Sequence, residues 1–227
     1  MRTPRFDSLE QMAEATAMNM AQGAAHWAFK LFEDKEFRRL AGFDKLSREE
    51  HDRIFNELVV AGLVLIMLIL EAPDLRLDED LRGYCRDLNK RVPKAYLDYL
   101  RQTGIEDRYL KDWEKLIGMR YDEYARDRHN VRAAAMQIEG ADKDLNVNDL
   151  SKIQLIVPVQ AVAIGCHHHN CRGATEGRDE LFKVTLRSLS KLYLELRVGL
   201  EVGKITPLMR AWVAVKRTVR RLRGGGR

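Results

Sequence analysis

Apolar positions recur every three or four residues along nearly the whole chain, the period of a helix with one buried face. The first stretch carries Leu9, Met12, Ala13, Met20, Ala24, Trp27 and Leu31 on one broad face. Asp7-Ser8-Leu9-Glu10 stands at its start with capping-box spacing, an acceptor side chain followed three residues on by a glutamate. A second box, Ser47-x-x-Glu50, opens a helix that runs through Glu71 and stops before Pro73. The later half of that helix, Leu58–Leu70, is apolar on every side. A helix apolar all round belongs at the centre of a fold, with neighbours on all its faces. At thirteen residues the run is shorter than the roughly 20 needed to cross a bilayer, which favours a buried core helix.

Short helices follow at about Asp78–Asn89 and Pro93–Gln102, with proline suited to the first turn of the second. A long helix from about Glu106 to Ile138 carries a stripe of Trp113, Ile117, Tyr121, Tyr124, Val131, Ala135 and Ile138. After the polar connection Gly140–Asn148, Asn148 or Asp149 caps a segment that is apolar from Ile153 to Ile164 except for Gln154 and Gln160. Pro158 would kink it. Its many β-branched residues keep a buried strand open as the competing reading. Gly173–Gly177 reads as a loop, Arg178–Gly203 as a helix, and Thr206-Pro207 as the start of the last one. The fold class is all-α: a single helical array or bundle of about seven to eight helices around two central apolar helices. Residues 1–223 read as one domain and 224–227 as a disordered tail.

Composition changes little in that picture. Of the 227 residues, 45% are hydrophobic and 32% charged, which suits a globular chain and not a disordered one. The N-terminus has no apolar signal core, and three cysteines make a poor disulfide framework. Both point to a cytoplasmic setting, with peripheral attachment to a membrane left open and a local Cys166–Cys171 bridge as an alternative. Charge is more informative. From Lys204 onward there are eight basic side chains and no acidic one, whereas the other residues hold 31 basic and 34 acidic groups. The net charge of +5 therefore belongs to the C-terminus, on a body that is mildly acidic.

The sharpest chemical feature is Cys166-His167-His168-His169-Asn170-Cys171. Thiolate and imidazole are the ligands that zinc prefers, usually four in a tetrahedral site. Cys166, His169 and Cys171, with His167 or His168 as a fourth, form the candidate set; zinc suits it better than iron or copper. If the run ends a helix, the exposed carbonyls and the negative end of the dipole favour a cation there. Against this, adjacent histidines on a helix point about 100° apart, and the spacing matches no strong zinc template. A solvated loop, a core thiol or a short disulfide are the competing readings.

Carboxylates near the apolar run raise a second metal possibility, a di-iron site of the kind built from Glu-x-x-His on paired helices. The residues to weigh are Glu57, Glu71, Glu123, Asp127 and His129, but no Glu-x-x-His occurs. His51 and Glu57, like Glu123 and His129, are six residues apart, which leaves the two side chains about 120° apart around a helix. Glu57 instead demands a neutralising partner, with Arg120, Arg126, Arg128 or a histidine as candidates. His26 reads as a core histidine, and His129 shares a small-residue face with Gly118, Ala125 and Ala133 that suggests close packing.

Near the C-terminus, Leu208, Trp212, Val215, Val219 and Leu222 form a narrow apolar seam among Arg210, Lys216, Arg217, Arg220, Arg221 and Arg223. Such a helix can lie on an anionic membrane surface, or pack its seam on the body or a second subunit and offer arginines to nucleic acid. No nucleophile elbow, phosphate-cradling glycine loop or dinucleotide fingerprint is present, and no small-molecule substrate is indicated. Two functions follow as expectations. One is a metal-binding helical protein, structural or sensory, with its site at 166–171. The other is a non-enzymatic interaction or scaffold protein that docks on an anionic partner, with a homo-oligomer as a further possibility.

Overall fold

The computed structural model describes residues 8–72, 75, 77, 79–141 and 144–201. Among them there are seven α-helices, one short 3-10 helix and no strand. In chain order they are α1 (Leu9–Glu33), α2 (Lys35–Ala41), a 3-10 turn (Phe43–Lys45), α3 (Arg48–Leu70), α4 (Glu79–Gln102), α5 (Asp107–Glu139), α6 (Val147–Asn170) and α7 (Asp179–Glu201). The strand alternative for Ile153–Ile164 is thereby replaced by helix. With one turn at each end of α6 already capped, helical length outweighs the β-branched composition.

Helix α3 is the axis of the fold, touched by α1, α4, α5, α6 and α7. Every residue from Glu57 to Leu70 is buried, as an all-round apolar helix requires. Its start is the expected Ser47 cap, whose hydroxyl accepts from the Glu50 N–H at 3.3 Å. By length and composition α3 and α6 could each cross a membrane, but 83% of the apolar window of α3 is buried in the protein itself.

Helix α1 begins at Ser8, which accepts from the Gln11 N–H. Its buried line is Ala13, Ala17, Ala21, Ala24 and Ala28, ending at Leu31, with Met12, Met20 and Trp27 at the flanks. Small side chains at the centre allow α3 and α4 to approach closely, and Gly62 of α3 lies against Trp27 and Ala24. The large apolar residues of the stripe serve as its edges.

Several local expectations need correcting. Glu79–Gln102 is one helix with Pro93 inside it, not two. The missing N–H costs one backbone bond, but Leu88, Val92, Ala95 and Tyr96 are all buried, so packing on both sides holds the helix together. Helix α6 likewise runs through Pro158. Its cap is Asn146, two residues before Asn148 and three before Asp149, the expected candidates; its side chain accepts from the N–H groups of Asn148 and Asp149, while Asp149 accepts from Asn146. Helix α2 was not foreseen. Asp34 caps it by accepting from Phe37 N–H at 2.8 Å, and Gly42, at φ +73°, closes it in the left-handed conformation that glycine adopts freely. His26 is exposed, not in the core, because it lies off the alanine line of α1. Gly118, His129 and Ala133 also face solvent, since α5 turns its Ile117–Tyr124 face inward.

Candidate functional site

The 166–171 run is the last turn of α6 and its cap. Helical rotation distributes its side chains over different faces. Cys166 and Asn170 share the inner face, where the Asn170 amide donates to Cys166 Sγ at 3.4 Å. His167 and Cys171 share the face toward α7. There His167 packs edge-on against Phe182 at 5.5 Å, and Cys171 Sγ lies 3.8 Å from His167 Nδ1 and accepts from Arg178. His168 is exposed, above Gly173 in the following turn. His169 turns to α5, with Nε2 at 2.8 and 3.0 Å from the two oxygens of Glu123. Among the described residues no group of three or more His, Cys, Asp or Glu side chains is placed to hold a metal. His167 and Cys171 are the two adjacent donors within the run.

All three cysteines are buried free thiols. Burial holds the Cys166 thiol far above its usual range, with the nearby Glu57 charge adding to the effect. Burial also raises Cys171, against the pull of Arg178, and lowers His167. Thiols kept protonated in this way are poor nucleophiles and poor ligands.

The negative end of α6 does attract a cation. It is the guanidinium of Arg53 on α3, which donates to the carbonyls of His169 at 2.6 Å and Asn170 at 3.0 Å. Glu50 accepts from Arg53 and also from Arg172, pinning the turn after α6 to the start of α3. Arg172 itself sits at φ +50°, an uncommon conformation for a side-chain-bearing residue, in a turn continued by Gly173 at φ +81°. The spacing Glu50-x-x-Arg53 was the sequence signal for this clamp.

Deeper in, a chain of charges crosses three helices. Arg120 of α5 grips both oxygens of Glu57 of α3 at 2.7 and 2.9 Å and reaches Glu123 at 3.2 Å; Glu123 passes the contact to His169. Arg120 was one of the partners expected for Glu57, and Glu57 in turn holds the Arg120 pKa above its ordinary value. Glu71 accepts from Tyr121 and Asn89 and lies 3.8 Å from Arg128. Three of the carboxylates weighed for a di-iron site, Glu57, Glu71 and Glu123, are therefore engaged with guanidinium, amide, phenol and imidazole groups. Beside this chain, the fully buried Tyr124 ring presses against Gly165, where a Cβ would come within 2.1 Å of its Cε1. Its hydroxyl has no hydrogen-bond partner among the described residues.

The second sequence candidate, the seam and arginines of 208–223, lies outside the described residues. What the body presents to it is described. Between α5, α6 and α7 lies an open groove of about 550 Å³ lined mainly by apolar side chains. Within its lining Ile138 (75% accessible), Ile156 (44%) and Ile164 (48%) are exposed. Contiguous exposure of that kind marks an interaction surface. The cue in the sequence was the outer end of the α5 stripe, which continues past the point where α5 is covered.

No known protein family matches the chain, and neither a curated protein nor a solved structure matches it.

Proposed function

We propose that this chain is a non-enzymatic docking protein whose helical body carries the basic C-terminal segment to a phosphate-rich anionic partner. One observation carries the reading: the body carries at least as many acids as bases, with 34 acidic and 31 basic side chains before Lys204, whereas the segment from Lys204 carries bases alone. Arg53, Arg86, Arg91, Arg101, Arg108, Arg120, Arg128 and Arg172 each pair with one or more carboxylates within the described residues. The segment from Lys204 has eight cations and no acid of its own. Long-range attraction for an anion therefore comes from Arg210, Lys216, Arg217, Arg220, Arg221 and Arg223.

The test is binding of the full chain to anionic lipid vesicles and, separately, to duplex DNA, at low and moderate salt. Arg217→Glu/Arg220→Glu/Arg221→Glu is the comparison. Salt-sensitive binding to either polyanion, lost on charge reversal, supports the reading. Equal binding by both proteins, or none at low salt, refutes it.

A metal-binding role for Cys166, His167, His168, His169 and Cys171 has weaker support. The support is the His167–Cys171 pair, 3.8 Å apart on one turn, which is half of a tetrahedral set. Arg178 donates to the same sulfur, and burial keeps the thiols protonated. Metal analysis of tag-free protein against Cys166→Ser/Cys171→Ser decides it: stoichiometric zinc that depends on the thiols would make this the leading reading.

A further inference from the structure

A second groove, of about 600 Å³, lies between α1, α2 and α7. Its floor is apolar: Leu31, Val184 and Leu192 are buried, and Trp27 and Leu196 are partly buried on the core. The Trp27 indole N–H already donates to Ser188, at 3.0 Å from the hydroxyl and 3.1 Å from the carbonyl, so the ring offers the groove an apolar surface and not a free donor. Around this bridge the charges are sorted. Lys30 stands one helical turn from Trp27, and Arg187 and Lys191 lie within a turn of Ser188. All three are exposed, line the groove and form no ion pair with a carboxylate among the described residues. Glu180 acts on Arg187 only at longer range. His26 joins them in the lining. The acids of the lining stand farther off. Asp34 and Glu195 are seven residues from Trp27 and Ser188, two turns or about 10 Å along the chain, and Asp34 is engaged as the cap of α2. Glu36 belongs to α2, not to the helices that carry the bridge. Cations therefore surround the centre of the groove, over an apolar floor. The groove between α5, α6 and α7 has no cation in its lining.

We propose that the α1–α2–α7 groove binds a small organic anion, a carboxylate or phosphate carried on an apolar acyl or aryl body. Charge selects the head group, which Lys30, Arg187 and Lys191 meet with N–H donors, and the floor selects the body, which covers Trp27 and Leu192. The volume falls among those of small-molecule sites, about 300–1,000 Å³. Gly23 in the lining leaves room for the ligand, since a Cβ there would meet nothing within 4 Å.

Fluorescence titration of the full chain with anilinonaphthalene sulfonate, and with phenylnaphthylamine, which has the same rings and no charge, tests the proposal. The comparisons are Gly23→Leu, which fills open space in the groove, and Lys30→Gln/Lys191→Gln, which removes two of its cations. A parent-like helical circular dichroism spectrum shows that both variants fold. The sulfonate should bind saturably and about tenfold or more tighter than the neutral dye; Gly23→Leu should weaken both dyes, and Lys30→Gln/Lys191→Gln the sulfonate alone, each by about tenfold or more. Sulfonate binding that survives either variant, equal affinity for the two dyes, or no saturation overturns the proposal. Displacement of the dye by decanoate or by phenyl phosphate identifies the head group, and displacement by neither overturns it as well. Both variants keep the basic C-terminal segment, so the outcome is independent of any polyanion that it binds.

Discussion

Replacing Gly165 by alanine tests the tightest contact in the fold. An added methyl would meet Tyr124 Cε1 at 2.1 Å and Cδ1 at 2.6 Å, well inside van der Waals contact. The ring is 0% exposed and lies beside Cys166 and the Glu57–Arg120 pair, so it has nowhere to swing without moving α5 away from α6. Alanine is worth about 0.5–1 kcal/mol over glycine within a helix, and overpacking costs about 1–3 kcal/mol. The clash is severe enough for the upper half of that range, leaving a net loss of about 1–2 kcal/mol. Gly118→Ala on α5 is the control, because its Cβ would meet nothing within 4 Å and the site is exposed. It should gain up to about 1 kcal/mol from propensity alone. Urea midpoints and thermal melts of the two variants should therefore move in opposite directions, by roughly 2–4 °C per kcal/mol in a chain of this size. A Gly165→Ala protein as stable as its parent would refute the α5–α6 contact, and with it the placement of His169 against Glu123.

Other expectations follow from the charge chain and the thiols. Arg120→Ala leaves Glu57 buried and uncompensated and should cost about 3–5 kcal/mol by denaturant titration, while Arg120→Leu/Glu57→Leu should recover most of it; equal losses would mean the pair is not buried as a unit. Arg172 and then Arg53 hold the Glu50 carboxyl down at about 2, so its stabilisation is complete above the ordinary carboxylate range and is lost as pH falls toward 2. Unfolding midpoints of Glu50→Gln should therefore vary less than those of the parent between about pH 5 and pH 2, and matching pH profiles would remove the clamp. Burial raises Cys166 and Cys171 and pushes Cys85 up to about 11. A thiol reagent at neutral pH should label the folded protein slowly and the urea-unfolded protein fully; rapid native labelling of Cys171 would contradict its surroundings.

The legible parts of the fold were those governed by periodicity. An all-round apolar run can only be central, and Leu58–Leu70 is. The stripe on α5 was read as one continuous face, yet it divides physically: Ile117 and Tyr124 are buried, while Ile138 lies open at the groove. Periodicity tells which residues share a face, not how far the neighbouring helices extend along it. Pro93 misled for the related reason that local propensity is silent about the packing that overrides it. At the candidate site, the sequence placed six chemically suggestive residues in a row. Whether neighbours in sequence converge depends on whether the backbone stays helical, and α6 stays helical to Asn170.

That continuity explains why the places that demand positive charge are met by arginine. The end of α6 exposes carbonyls to Arg53, and Glu57 and Glu123 bracket Arg120. A guanidinium offers several N–H donors in one plane, so it can serve two carbonyls or both oxygens of a carboxylate without converging ligands. It therefore suits donors spread along a regular helix end, where a tetrahedral ion would need the turn to unwind. Shape as well as charge should then matter at Arg53. Arg53→Ala should cost about 1–3 kcal/mol by releasing two carbonyls and half of the Glu50 clamp. Arg53→Lys keeps the charge but reaches one acceptor at a time, and should restore less than half of that loss in denaturant midpoint. Full restoration by lysine would show that point charge alone satisfies the helix end, and the geometric argument against a metal at that turn would lose its force.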